Sequence, residues 1–127
     1  NGFSGRGIQI ESEFNTSIVV SNTTISSTSS DEVKGLYILK NHAFGHAKTP
    51  SNINVILNSN TVNVGENGLA YQLEVFAGTS DFPADTGRVT LSGTKNTTSN
   101  TQALNLSLGS ATLNGSVEIN GVVYPQP

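Results

Sequence analysis

Apolar residues in this chain fall into short runs, most of them opened by glycine or closed by a polar turn. Gly7-Ile8-Gln9-Ile10, Gly35-Leu36-Tyr37-Ile38-Leu39 and Gly68-Leu69-Ala70-Tyr71-Gln72-Leu73 form one set. Each is followed, after a polar interval, by a second run: Ile18-Val19-Val20, Val55-Ile56-Leu57 and Val89-Thr90-Leu91. The glycines stand 28 and 33 residues apart, and the second runs 37 and 34 apart. Within residues 7–12 the alternation puts Ile8 and Ile10 on one face and Gln9 and Glu11 on the other, as a half-buried strand requires. Runs this short, rich in Val, Ile and Thr and broken at Gly, Asn or Ser, read as strands and turns. No segment shows helical periodicity with caps.

The pattern predicts strands over 7–12, 17–26, 35–40, 53–57, 61–64, 69–76 and 88–92. Segments 103–108, 111–113, 116–119 and 122–124 close the chain, and loops are expected at 27–34, 41–52 and 77–87. Three all-β architectures compete. A closed up-and-down barrel wants evenly sized hairpins, and the loops are too unequal for it. An antiparallel sandwich wants short strands with frequent turns, which the chain has. A parallel β-solenoid wants repeated phrases with variable loops, and Asn or Thr stacked beside its corners. Aligning Ile18, Val55 and Val89 favours the solenoid, because each run ends in a small polar corner: Ser21-Asn22, Asn58-Ser59 and Ser92-Gly93. In that alignment Lys95 stands where Thr24 and Thr61 stand. The repeat therefore reads as two good copies, a weakened third and a divergent end.

The stretch Asn52-Ile53-Asn54-Val55-Ile56-Leu57-Asn58-Ser59-Asn60-Thr61-Val62-Asn63-Val64, followed by Gly68-Leu69-Ala70-Tyr71, resembles right-handed parallel β-helices. Among these it is most similar to passenger domains of bacterial autotransporter adhesins. The likeness covers about residues 7–119 and is one of pattern and composition, not of a diagnostic motif. It implies a triangular solenoid of three sheets, secreted to the bacterial cell surface, with loops projecting from the stack. The expected fold is thus an all-β right-handed parallel β-helix of about three to four coils, with an Ig-like antiparallel β-sandwich as the alternative. Residues 1–127 read as a single β-rich domain. The absence of an initiator Met and of a signal-like segment reads as a processed chain or an excised piece of a longer surface protein.

Composition narrows the partners. Net charge is −3, charged residues make up 12% and cysteine is absent, so neither a disulfide nor a thiolate metal site is available. The six Lys and Arg are scattered, which argues against nucleic acid. No run has the length of a membrane helix, so direct insertion of this segment is not expected. Sequons at Asn15, Asn22, Asn96, Asn105 and Asn114 follow from a composition rich in Asn and Thr.

Candidate chemistry sits in two loops. Asn41-His42-Ala43-Phe44-Gly45-His46-Ala47-Lys48 holds both histidines. A metal site needs three or four donors, and Asp31 and Glu32 would complete one only if the fold joined the two loops. Gly45-His46 also resembles the Gly-His of polygalacturonases, β-helical enzymes that act through clustered aspartates. Only Asp31, Asp81 and Asp85 are present here, and no acid cluster for calcium is visible. Asp81-Phe82-Pro83-Ala84-Asp85 offers an aromatic between two carboxylates, a pattern suited to a sugar face or a protein contact. The plainer reading is Phe82 covering a strand end, with the two acids solvated.

The expected function is a non-catalytic adhesin module presenting loops to a host or neighbouring-cell glycan or protein. Asp81, Phe82, Asp85, His42 and His46 are its candidate contacts. No metal or other cofactor is expected, and self-association is kept among the partners. Two alternatives stand beside it: an Ig-like pilus subunit or tip adhesin assembled by strand donation, and a polysaccharide-cleaving β-helix enzyme.

Overall fold

The computed structural model describes residues 5–12, 14–40, 51–81, 83–100, 103–107 and 113–125. Among them there are twelve strands and no helix. In chain order these are β1 (Gly5–Ser12), β2 (Thr16–Ser21), β3 (Thr24–Ser26), β4 (Val33–Lys40), β5 (Ile53–Asn58) and β6 (Thr61–Asn63). Then come β7 (Leu69–Val75), β8 (Arg88–Gly93), β9 (Thr97–Thr98), β10 (Leu104–Ser107), β11 (Asn114–Ile119) and β12 (Val122–Tyr124). They form three sheets: sheet 1 in the order β1-β4-β7-β10, sheet 2 in the order β12-β11-β8-β5-β2, and sheet 3 in the order β3-β6-β9.

The chain visits sheets 1, 2 and 3 in turn, then returns to sheet 1 one strand further along. Every ladder between circuits is parallel. Among the described residues only β11–β12 is antiparallel, so sheet 2 is mixed. The antiparallel sandwich does not match this pairing, because its sheets are built from antiparallel ladders.

Ile18 pairs with Val55, as the repeat spacing anticipates. Further on, the register departs from the sequence alignment by two residues. Leu36 pairs with Tyr71 where the alignment offers Leu69, and Val55 pairs with Leu91 where it offers Val89. A slip of two leaves every side chain on its own face, so the hydrophobic pattern is blind to it. The correction restores the third copy. Thr97, not Lys95, is the partner of Thr61, and β9 is a short strand in a stretch that reads as merely polar. The end of the chain is also more regular than expected. β10 extends sheet 1 beside β7, and β11 extends sheet 2 beside β8. Asn120 and Gly121, both at positive φ, then make the two-residue turn that folds β12 back on β11. Of the strand expected over 111–113, only Leu113 lies within the described residues, and it is outside any strand.

The core is the inward row of each sheet. Leu36, Ile38, Val55, Leu57, Val62, Leu73, Leu91 and Val117 are buried in one cluster that draws on all three sheets. Gly35 stands where sheets 1 and 3 converge. A Cβ there would lie 2.2 Å from Val62 Cγ1 and 2.7 Å from the Ala70 carbonyl oxygen. The glycine that opens the Leu36–Leu39 run is therefore a packing requirement, not a turn signal.

Candidate functional site

The three corners between sheets differ in kind. From sheet 2 to sheet 3 the chain turns within a few residues: 22–23 in the first circuit, 59–60 in the second and 94–96 in the third. Asn22, Ser59 and Lys95 take φ of 52, 57 and 60° at the same point of each circuit. Beside them runs a rank of asparagines. Asn60 Oδ1 accepts from Thr23 N at 3.1 Å, and Asn60 Nδ2 donates to the Val20 carbonyl at 2.9 Å. Asn96 Oδ1 accepts from Asn60 N and Nδ2, both at 3.1 Å, while its Nδ2 donates to the Leu57 carbonyl at 2.7 Å. Asn120 Oδ1 accepts from Asn96 N at 3.0 Å. Asn60 and Asn96 are buried, and each amide satisfies backbone groups that a sharp corner would otherwise orphan. This is the stacking of like residues anticipated for the corners.

From sheet 1 to sheet 2 the connections are unequal: 13–15, 41–52, 76–87 and 108–113. Every candidate contact belongs to this one corner. His42 and His46 fall in 41–50, and they and Phe82 lie outside the described residues. Asp81 is exposed, and its N–H donates to Thr79 Oγ1 at 3.2 Å. Asp31 and Glu32 precede β4, whereas Asn41 follows it. A strand of that length, about 25 Å, separates the acids from the point where the histidine segment leaves. Among the described residues no three His, Cys, Asp or Glu side chains gather at metal-binding distance.

Asp85 is placed differently from the solvated acid of the plainer reading. It is 1% exposed, and its Oδ2 accepts from Lys40 Nζ at 2.8 Å. Both side chains of this ion pair are fully enclosed. Lys40 Nζ also donates to Ser51 Oγ at 3.0 Å, and Gly87 N–H donates to Asp85 Oδ1 at 2.7 Å. A Cβ on Gly87 would sit 1.8 Å from the Ser51 carbonyl oxygen and 2.9 Å from Lys40 Nζ, so only glycine fits beside the lysine. The backbone closes the same point, with Phe76 N donating to Lys40 O and Asp85 N to Phe76 O. Lys40 and Ser51 bracket one long connection, and Phe76 and Asp85 bracket the next. One buried knot thus roots both.

Beside that root, the outer face of sheet 2 holds an open depression of about 400 Å³ lined by Asn15, Ser17, Asn52, Asn54, Arg88 and Thr90, with two further residues. It too has an asparagine rank. Asn15 Oδ1 accepts from Asn52 N at 2.8 Å, Asn52 Oδ1 accepts from Arg88 N at 2.9 Å, and Asn114 Nδ2 donates to the Thr86 carbonyl at 3.1 Å.

Sequence reading did not single out Lys40 or Ser51, and it marked Asn15 and Asn114 only as sequons and Asn52 only as part of a repeated phrase. A signal for the asparagines exists: Asn15, Asn52 and Asn114 each stand three residues before an inward Ile or Val. Lys40 carries no such mark, since a lysine closing a strand usually reads as solvent-facing.

A second polar cluster lies on the outer face of sheet 1. Arg6 and Lys34 hold their cations 4.8 and 4.7 Å from the centre of the Tyr37 ring, within cation–π range. The Tyr37 hydroxyl donates to the Glu74 carboxylate. Burial first, then the Glu74 hydrogen bond and charge, push the Tyr37 phenol up to about 12, with Arg6 pulling the other way and Glu11 adding a smaller upward push. Burial alone raises Tyr71 to about 12.

No protein-family model, curated protein or solved structure matches this chain.

Proposed function

We propose that the chain is a right-handed parallel β-solenoid module of an extracellular bacterial surface adhesin, and that its binding face is the corner between sheets 1 and 2. The handedness follows the strong preference of parallel crossover connections. The observation that carries the reading is the concentration of the long connections at one corner, two of them rooted on the Lys40–Asp85 pair. Such placement is the usual division of labour between a regular scaffold and variable loops that carry recognition. The neighbouring depression offers amides, hydroxyls and the Arg88 guanidinium, which suit the hydroxyls and ring oxygens of a surface glycan. Asp81, Phe82, His42 and His46 remain the contacts proposed from the loops. Asp85 acts from within, fixing the place where the 77–84 segment leaves and returns.

The test replaces residues 77–84 by Asn-Gly and compares binding to immobilised bacterial and host-cell glycans. The expected result is at least a tenfold loss of binding with the far-ultraviolet circular dichroism of a β protein retained. Undiminished binding by the folded variant would sink the reading. Nuclear Overhauser contacts joining Ile18 to Val55 and Val55 to Leu91 test the solenoid itself.

A further inference from the structure

The buried knot has the makings of a covalent bond. Lys40 Nζ, an amine nucleophile once deprotonated, is held 2.8 Å from Asp85 Oδ2, with both side chains enclosed. The carboxyl carbon lies one bond behind that oxygen, and Ser51 Oγ accepts from the nitrogen on another side. Contact of this kind, fixed in advance by packing, is what makes intramolecular condensations fast. The second carboxyl oxygen is held by a backbone N–H, that of Gly87, at 2.7 Å. A fixed donor of that type stabilises negative charge developing on oxygen. Ser51 Oγ, 3.0 Å from Nζ, completes the set with a hydroxyl able both to accept and to release a proton.

We infer that Lys40 and Asp85 condense to an intramolecular amide. The proton on Nζ first passes to Oδ2, leaving a neutral amine and a neutral acid. The freed lone pair attacks Cγ, and Oδ1 becomes the oxyanion held by Gly87 N–H. Ser51 accepts one of the two remaining amine protons and returns its own to the Oδ2 hydroxyl. The Cγ–Oδ2 bond then breaks, Oδ1 re-forms the carbonyl, and one water departs. No electrons are gained or lost, so the reaction needs no oxidant. The chain has no cysteine, and this amide would staple the roots of two neighbouring connections without one.

Intact mass spectrometry of the folded protein, sampled over days and denatured before injection, tests this. The expected mass is that of the sequence less one water, with fragmentation giving a branched peptide that joins Lys40 to Asp85. Lys40→Arg keeps the cation but supplies no attacking amine, so its full sequence mass should persist. A succinimide at Asp85 would also lose one water, but it would form in Lys40→Arg as well. Ser51→Ala should slow the conversion several-fold without changing its end point. The full sequence mass in every wild-type sample would overturn the inference, and so would a water loss that survives Lys40→Arg. The wild-type measurement decides even if the variants fail to fold.

Discussion

Asn96 shows how much one side chain can carry at a sharp corner. Its amide accepts from Asn60 N and Nδ2 and donates to the Leu57 carbonyl. Alanine would strand these partners where water does not reach, at about 1–3 kcal/mol for each group left unsatisfied. Asn96→Ala should therefore lower stability by at least 2 kcal/mol or so, read as a fall in the urea midpoint with the slope unchanged. The tyrosines give the matching statement for pH. Tyr37 and Tyr71 both hold their protons more tightly in the folded protein, up to about 12 against an ordinary 10.0. A raised folded value means stability that is complete below pH 10 and is lost as pH climbs toward 12. Alkaline unfolding should set in across that window, and phenolate absorbance should rise with it. Tyr37→Phe and Tyr71→Phe should each remove part of that dependence and leave stability at pH 7 to 9 comparatively flat.

At the scale of strands, the existence of most elements was legible and their register was not. Runs such as Ile53 to Leu57 declare a strand through branched side chains and period-two alternation. The same period makes Val89 and Leu91 equivalent partners for Val55, so alignment by hydrophobicity slips by two. What fixes the register is the corner, where Asn22, Ser59 and Lys95 adopt the left-handed conformation in step. Ser59 and Lys95 are poor residues for that region, and no propensity rule would have placed them there. Lys95→Asn should relieve part of this cost and raise stability by about 0.5–1 kcal/mol, seen as a thermal midpoint a few degrees higher. Gly35 supplies the opposite case. Gly35→Ala, ordinarily a favourable exchange in chain entropy, drives a methyl into Val62 and the Ala70 carbonyl. It should cost about 1–3 kcal/mol, and Gly35→Ala combined with Val62→Ala should recover only part, since the carbonyl contact remains.

For the whole molecule, the sequence revealed an all-β chain with repeated units, and it marked two loops, 41–52 and 77–87, that gather at one corner, whereas the loop expected at 27–34 leads from sheet 3 to sheet 1 and ends inside β4. It could not reveal that gathering, because a loop's place on a sheet edge depends on pairing between residues some 35 apart. Nor could it reveal the Lys40–Asp85 pair, whose partners lie 45 residues apart with no motif joining them. The architecture predicts an asymmetric tolerance of insertion. Five Gly or Ser residues added after Thr79 lengthen a connection that is already long, at a cost of well under 1 kcal/mol. The same five between Ser59 and Asn60 break the asparagine rank and the turn beside it. Thermal melts should show the first variant within a few degrees of the parent and the second without a cooperative transition.

The serial order of the three sheets has a mechanical consequence. Because each circuit is hydrogen-bonded chiefly to the circuits before and after it, tension on the two ends would peel the molecule from its margins inward. Each detached circuit of 36 residues, the offset that pairs Thr61 with Thr97, would release roughly 120 Å of extended chain, except that a Lys40–Asp85 amide would keep residues 41–84 out of the extended path. Held at constant force, such a molecule would lengthen as a staircase, with the step height set by the length of one turn of the chain.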